Sequence, residues 1–242
     1  MSNLSQQLHS NKIFKIGEIL LLFGAVIIFV MLVLPMAGDH PIYKQLVVWL
    51  ANILMLCYVW LGLKLRGENW SHFGLKFKPV SSREAIKIFL LSVLVMIIAM
   101  TGFIIGSIIM ANITGIPENA NMSGYDYLKD NVLMLMVTLA GVYIVSSFGE
   151  EVIYRGFLIN RIKEIAPDSK AIVSIAIILS SVIFGLIHYE WGPMGMVQTG
   201  FMGLGLAICY VKLKKRLWII VLAHAYMDTI LIIQMYLASN AT

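Results

Sequence analysis

The sequence predicts an all-α protein, a polytopic transmembrane helix bundle of about seven spans, with an eighth re-entrant or split helix left open. Of its 242 residues, 60% are hydrophobic and only 13% are charged, against about 25% charged residues in soluble proteins. The mean hydropathy is +0.86. The length fits a single transmembrane domain over residues 1–242, and we expect a multi-pass protein of the cell membrane.

Seven apolar segments each approach the length of about 20 residues that an α-helix needs to cross a bilayer. Backbone groups in lipid must be paired internally, so we expect a helix for each segment. The first segment is longer than a signal-peptide core and has no A-x-A cleavage site, which favours a retained helix. The segments are 17–37, 44–63, 87–111, 132–159, 171–189, 193–211 and 217–237.

Basic residues between these segments predict the orientation of the chain. Lysines and arginines cluster in 64–87, 161–170 and 212–216, whereas 111–130 and 189–193 are acidic or nearly uncharged. The positive-inside rule then places the N-terminus and all three basic clusters in the cytoplasm. The net charge of +5 therefore belongs to membrane loops, and no nucleic-acid partner is expected.

The apolar segments also contain both cysteines and a run of glycines. We expect Cys57 and Cys209 to be reduced core residues, because a disulfide framework is typical of small secreted proteins. The stretch "GMVQTGFMGLG" (195–205) predicts a packing face, because small residues let membrane helices approach closely.

Six ionisable residues inside or near the predicted spans stand out, because such groups are costly in a membrane and usually functional. Residues four apart share a helix face, so Glu151 and Arg155 predict an ion pair. Glu150 points elsewhere, toward a cavity, while Glu18 at a helix start is expected at the membrane interface. The six residues are Glu150, Glu151, Arg155, His188, His224 and Asp228.

The two histidines lie in short patterns with helical spacing. "FGLIH" puts Phe184 and His188 on one face, and "HAYMD" does the same for His224 and Asp228. Buried acids and histidines from three spans can satisfy one another only by converging in the bundle interior or in a wet cavity. Such a convergence is what acid–base catalysis requires.

Three motifs, taken in order, resemble a known family. "EEVIYR" matches E-E-x-x-x-R, "FGLIH" matches F-x-x-x-H, and "HAYMD" resembles a closing H-x-x-x-[N/D] motif. Their order on successive spans is similar to that in the CAAX-protease and bacteriocin-processing (Abi) family of intramembrane proteases. The motifs cover residues 150–228, so we expect catalytic core spans in 132–237 and accessory spans in 1–131.

The resemblance implies an endopeptidase of the glutamate type, and we favour a metal-independent mechanism over a metalloprotease. Glu150 would activate water and His188 would help to hold that water, while Glu151 and Arg155 would form a supporting ion pair. Its partners would be the lipid bilayer and a peptide or protein substrate at the membrane. The resemblance ties bacterial members to peptide maturation or bacteriocin self-immunity, and the short loops and small size favour that kind.

The resemblance assigns stabilisation of the oxyanion to His224 and Asp228, but the second residue departs from the pattern. Many members have asparagine at this position. An amide can donate a hydrogen bond, whereas an ionised carboxylate only accepts. Asp228 is therefore either protonated or, as we favour, orients and charges His224.

Three alternatives stay open. His188, His224 and Glu150 could hold zinc, which takes three protein ligands and a water in catalytic sites, although no H-E-x-x-H is present. Intramembrane acids and histidines also serve transporters and proton relays, although the inverted repeats of many transporters are missing. The third alternative is a non-catalytic membrane immunity or assembly factor.

The depths of the site residues conflict with simple helix boundaries. At 1.5 Å per residue, Glu150 and His224 lie roughly 15 and 12 Å from the cytoplasmic ends of their spans. His188, measured from Lys170, lies about 27 Å away. We therefore predict that residues 164–176 lie partly outside the bilayer, or that the fifth span is strongly tilted.

Overall fold

The computed structural model describes residues 3–76, 78–115, 123–167 and 169–241, and every regular element in these ranges is helical. Residues 116–122 of the predicted loop 111–130 lie outside them. The main elements are α1 (Asn3–Ser10), α2 (Lys12–Val33), α3 (Pro41–Arg66), α4 (Ser82–Thr114), α5 (Val132–Val142), a π-helix (Tyr143–Leu158), α6 (Ile159–Lys163), α7 (Lys170–Leu186), α8 (Gly192–Lys212) and α9 (Leu217–Ala241). Short 3-10 helices are Leu34–Ala37, Trp70–Phe73, Ser123–Leu128 and Tyr189–Trp191.

The all-α prediction is confirmed, and each of the seven apolar segments forms a helix. Within the described ranges, six helices are long and apolar enough to cross a membrane: Lys12–Ala37, Pro41–Arg66, Ser82–Thr114, Val132–Lys163, Tyr189–Lys212 and Leu217–Asn240. The predicted fifth span is shorter, because α7 has 17 residues and ends at Leu186. His188 therefore lies just beyond a helix end.

Polar residues set several helix boundaries outside the apolar runs that hydropathy detects. The side chain of Ser81 accepts a hydrogen bond from the Glu84 amide at the start of α4, and Asn131 does the same for Met134 at the start of α5. Such caps satisfy amides that have no partner within the helix. At the end of α3, Gly67 takes a left-handed conformation with φ of 72°, which glycine adopts without strain.

Glycines bring α8 close to its neighbour α4, as the sequence predicts. A Cβ at Gly102 would lie 2.4 Å from the carbonyl oxygen of Phe201, and one at Gly205 would lie 3.1 Å from Cα of Ala99. The two backbones are thus in direct contact. This close packing fixes α8 beside the functional region described below.

The prediction for the cysteines holds for one of the two. Both are free, but only Cys209 is buried, and Cys57 lies on the exposed surface of α3. The prediction is wrong for Cys57 because lipid is as apolar as a protein core. An apolar run therefore does not reveal which face of a membrane helix points inward.

A buried group of charged residues ties the end of α6 to α2 and α3, and we call it the ion cluster. Arg161 lies 2.8 Å from Glu164, 3.2 Å from Glu68 and 3.3 Å from Glu18. Arg66 also pairs with Glu18 and lies 3.6 Å from Glu164. The cluster comprises His9, Lys15, Glu18, Arg66, Glu68, His72, Arg161 and Glu164.

The expected position of Glu18 at the membrane interface stays a prediction, but its side chain is not exposed on the protein surface. It is 8% exposed, because the guanidinium groups of Arg66 and Arg161 reach it from two other helices. Paired charges of this kind can stay buried. The cluster thereby holds the end of the helix that follows the π-helix.

Candidate active site

The segment with the two adjacent glutamates is a π-helix of 16 residues, Tyr143–Leu158. Most π-helices are single turns within α-helices, and they frequently lie at functional sites. An α-helix is what the sequence predicts for this segment, since apolar periodicity does not separate the two forms. The wider helix turns Glu150, Glu151 and Arg155 into the bundle, where all three are buried.

Glu151 accepts hydrogen bonds from two residues. Its Oε1 lies 2.9 Å from Nη1 of Arg155, on the same helix, and 2.8 Å from Nδ1 of His224 on α9. Glu151 and Arg155 have no exposed surface, and His224 is 3% exposed. The predicted ion pair between Glu151 and Arg155 is present, and it extends to a histidine from another span.

His224 lies between two carboxylates. Its Nε2 is 3.7 Å from Oδ1 of Asp228, one turn further along α9. Asp228 in turn accepts a hydrogen bond of 2.6 Å from Ser147 of the π-helix, and Ser146 lies near the same carboxylate. The result is a line of alternating basic and acidic side chains, called the charged line below, that runs from Arg155 through Glu151 and His224 to Asp228.

Glu150 stands outside this line. It is 8% exposed, and its Oε2 finds no hydrogen-bond donor among the described residues. It nevertheless lies within electrostatic range of His224, Asp228 and Glu151. Glu150 is thus a buried carboxylate beside the charged line, with one oxygen directed to no protein donor.

His188 lies between the end of α7 and the 3-10 helix Tyr189–Trp191. Its Nδ1 is 2.8 Å from the carbonyl oxygen of Phe184. A carbonyl can only accept, so Nδ1 carries a proton and a neutral ring has its lone pair on Nε2. Trp191 packs against the other side, with ring centroids 5.0 Å apart.

Phe184 is the common neighbour of the site residues. Its ring centroid is 5.0 Å from that of His188, 6.1 Å from that of His224, and 4.3 Å from Cζ of Arg155. Tyr154 packs edge-on against the same ring at 5.3 Å. The structure therefore brings both histidines and Arg155, the partner of Glu151, together around one buried aromatic ring.

Some residues of this site are not among those predicted from the sequence. Ser146 and Ser147 are adjacent polar residues inside an apolar span, and each precedes one of the two glutamates by four positions. This placement is the sequence signal that could have identified them as site residues. Gly203 accepts a hydrogen bond from Arg155 through its carbonyl oxygen at 3.2 Å. No sequence pattern reports such a backbone contact.

The geometry of the site bears on the alternative in which His188, His224 and Glu150 hold zinc. Among the described residues, no group of three or more histidine, cysteine, aspartate or glutamate side chains is arranged to hold a metal ion. Nδ1 of His224 is engaged with Glu151, which leaves only Nε2 of that ring for a ligand. Chelation decides metal dependence by experiment.

The C-terminal part of the chain matches one family model. Residues 132–230 match a model described as type II CAAX prenyl endopeptidase Rce1-like. This match is consistent with the resemblance to the CAAX-protease and bacteriocin-processing family. The matched range contains Glu150, Glu151, Arg155, His188, His224 and Asp228. No curated protein and no solved structure gives a significant match.

Proposed function

Since residues 132–230 match the Rce1-like family of type II CAAX prenyl endopeptidases, we propose that the protein is an intramembrane endopeptidase in which Glu150 activates the attacking water. The observation that carries this proposal is the difference between the two adjacent glutamates. Oε1 of Glu151 is held by Arg155 and His224, whereas Glu150 forms no hydrogen bond or ion pair with the described residues. Oε2 is without a donor in both side chains. A general base needs such an available oxygen.

The first step is attack of water on the substrate's carbonyl carbon. Glu150 takes one proton of the water, and Nε2 of His188 accepts a hydrogen bond from the other. The donation from His188 Nδ1 to Phe184 fixes the tautomer that leaves Nε2 as an acceptor. The carbonyl oxygen becomes an oxyanion as the new C–O bond forms.

The oxyanion is stabilised by His224. A donor that is already in place in a low-dielectric site lowers the energy of such a charge without reorganisation. The protonated Glu150 then gives its proton to the peptide nitrogen as the C–N bond breaks. The products are a carboxylic acid and an amine, and Glu150 returns to its starting form.

The arrangement of the other residues supports this division of roles. Arg155 and Glu151 are fully buried and hold each other and the ring of His224. Glu151 is therefore a positioning residue, and Glu150 remains the base. We further propose a cell-membrane location, a peptide or protein substrate presented at the bilayer, and a role in bacterial peptide maturation or bacteriocin self-immunity.

A peptide-release assay in liposomes tests the proposal. Fluorescently labelled, membrane-anchored peptides are incubated with the wild type, Glu150→Gln and His188→Ala, each with and without chelator. Glu150→Gln should reduce the cleavage rate by at least about 100-fold, the lower range for a lost general base. Glu190→Gln is the matched control, because this exposed glutamate lies beside His188 but outside the charged line.

Activity that survives Glu150→Gln and His188→Ala would reject the assigned roles. Loss of cleavage on chelation, with zinc in the purified protein, would favour the metal-dependent alternative. An immunity effect that persists in cells carrying Glu150→Gln would favour the non-catalytic membrane factor instead.

A further inference from the structure

The carboxylate of Asp228 lies beside two consecutive hydroxyl groups of the π-helix. Ser147 Oγ donates to Oδ2 at 2.6 Å, and the hydroxyl of Ser146 lies near the same side chain. Ser147 has no exposed surface. A distance of 2.6 Å falls in the range of hydrogen bonds from a hydroxyl to an ionised carboxylate.

We propose that Ser146 and Ser147 are positioning residues that keep Asp228 ionised and facing His224, so that His224 carries two protons and a positive charge before substrate binds. The use of this charge in catalysis rests on the proposed endopeptidase function. The charge state itself depends only on the geometry of the site.

The surroundings of the His224 ring support a doubly protonated form. Nδ1 lies 2.8 Å from Glu151, and Nε2 faces Asp228 at 3.7 Å. An ionised carboxylate accepts hydrogen bonds but cannot donate them, so each ring nitrogen faces an acceptor. Glu150 lies within electrostatic range as a third acidic group, while Phe184 covers the ring edge-on.

The two distances give the two nitrogens different roles. At 2.8 Å the Nδ1 proton is committed to Glu151, whereas 3.7 Å is too long for a hydrogen bond from Nε2 to Asp228. Asp228 therefore stabilises the charge of the ring without occupying the Nε2 proton. That proton stays available to the substrate's developing oxyanion.

The serine hydroxyls supply the hydrogen-bond donors that an ionised carboxylate at position 228 needs. An asparagine would donate to the oxyanion by itself, but Asp228 cannot. With the hydroxyls in place, Asp228 acts through His224 instead. The serine pair should therefore matter only when residue 228 is an aspartate.

A double-mutant cycle on the full-length protein in liposomes measures this dependence. The variants are Ser146→Ala/Ser147→Ala, Asp228→Asn, and the combination of all three substitutions. With Asp228 in place, loss of the hydroxyls should lower kcat by about 10–100-fold, the equivalent of a hydrogen bond to a charged group, with KM unchanged. In the Asp228→Asn background, the same loss should change kcat by less than about 2-fold, because the serines act only through Asp228. Effects that differ between the two backgrounds show that the residues are coupled, since independent residues have additive effects.

A conservative variant and a spectroscopic measurement complete the test. Ser147→Thr keeps a hydroxyl and should retain most of the activity that Ser147→Ala loses. Nitrogen-15 NMR of histidine-labelled protein, with His224 assigned from a His224→Gln variant, should show an imidazolium ring in the wild type and a neutral ring in the double-serine variant.

The outcomes separate this inference from the proposed function. A neutral His224 ring in the wild type, or an equal effect of the serine substitutions in both backgrounds, would overturn the inference. If the wild type cleaves no peptide, the endopeptidase proposal fails, but the NMR signal of His224 still decides the charge state.

Discussion

His224 and Glu151, 73 residues apart in the chain, are joined by a hydrogen bond of 2.8 Å between Nδ1 and Oε1. The same carboxylate oxygen pairs with Arg155 at 2.9 Å. Glu151 thus links two helices and compensates two basic groups that have almost no contact with solvent. Glu150, its neighbour in sequence, has no comparable partner among the residues that the structure describes.

This difference predicts opposite effects on stability for the same substitution at adjacent positions. Glu151→Gln should lower the free energy of unfolding by about 3–5 kcal/mol, because it leaves Arg155 buried without its counter-charge. Glu150→Gln should leave stability unchanged or raise it, because it removes a buried charge that forms no hydrogen bond or ion pair with any described residue. Thermal unfolding of both variants in the same detergent measures the difference. Equal losses for the two would contradict the division of roles.

A second prediction concerns the contact between α7 and α8 beside the site. A Cβ at Gly185 would lie 2.5 Å from the carbonyl oxygen of Met196 and 3.0 Å from Cα of Gly200. Backbone atoms cannot move aside as a side chain can, so Gly185→Ala should destabilise the protein by about 1–3 kcal/mol. It should also lower activity, because Phe184 and the His188 segment would shift.

Gly24→Ala on α2 is the matched control for Gly185→Ala. Nothing lies within 4 Å of a Cβ at Gly24. Alanine is favoured over glycine inside a helix by up to about 1 kcal/mol, so this variant should be as stable as the wild type or more so. Thermal unfolding should rank the two variants in that order, and a stable Gly185→Ala protein would contradict the close contact.

The sequence was sufficient to predict the helices and the convergence of the charged residues on one site. Apolar length identifies helices in lipid, and the cost of buried charge makes residues such as Glu150 and His224 conspicuous in their spans. The i, i+4 rule then predicted the pair of Glu151 and Arg155 correctly. These features depend on composition and local spacing, which a sequence displays directly.

Other features could not be predicted because they depend on tertiary contacts. The π-helical backbone and the position of His188 beyond the end of α7 have no signature in apolar periodicity. Glu18 was expected at the interface from its place at a helix start, and only the fold brings Arg66 and Arg161 to it. Membrane orientation and the depths of the site residues stay predictions.

A third prediction compares the loss of stability on removing an arginine from the ion cluster with the loss on removing one from an exposed ion pair. Arg161 is fully buried among Glu18, Glu68 and Glu164. Arg161→Met should lower the free energy of unfolding by about 3–5 kcal/mol, because it leaves buried carboxylates with fewer counter-charges. Unfolding in detergent, followed by loss of helical circular dichroism, measures the change.

Arg216→Met provides the comparison for Arg161→Met. Arg216 pairs with Glu84 at 2.6 Å, but the two side chains are 37% and 44% exposed. Exposed pairs contribute at most about 1 kcal/mol, so this variant should unfold close to the wild type. A cost for Arg216→Met as large as that for Arg161→Met would show that burial does not determine the strength of these pairs.

The final prediction concerns acid stability and rests on Glu164, which follows α6 in the chain. Burial alone would raise the pKa of this carboxyl, but the hydrogen bond with His72 and the charges of Arg161 and Arg66 outweigh it and lower the pKa from 4.5 to about 2. A lowered pKa in the folded state means that the ionised group stabilises the fold above its unfolded pKa. That contribution should be lost as the pH falls from about 4.5 toward 2. Unfolding measured across this range should show a steep loss of stability for the wild type and a shallower one for Glu164→Gln, which has no proton to bind. Parallel pH profiles for the two proteins would contradict the role assigned to Glu164.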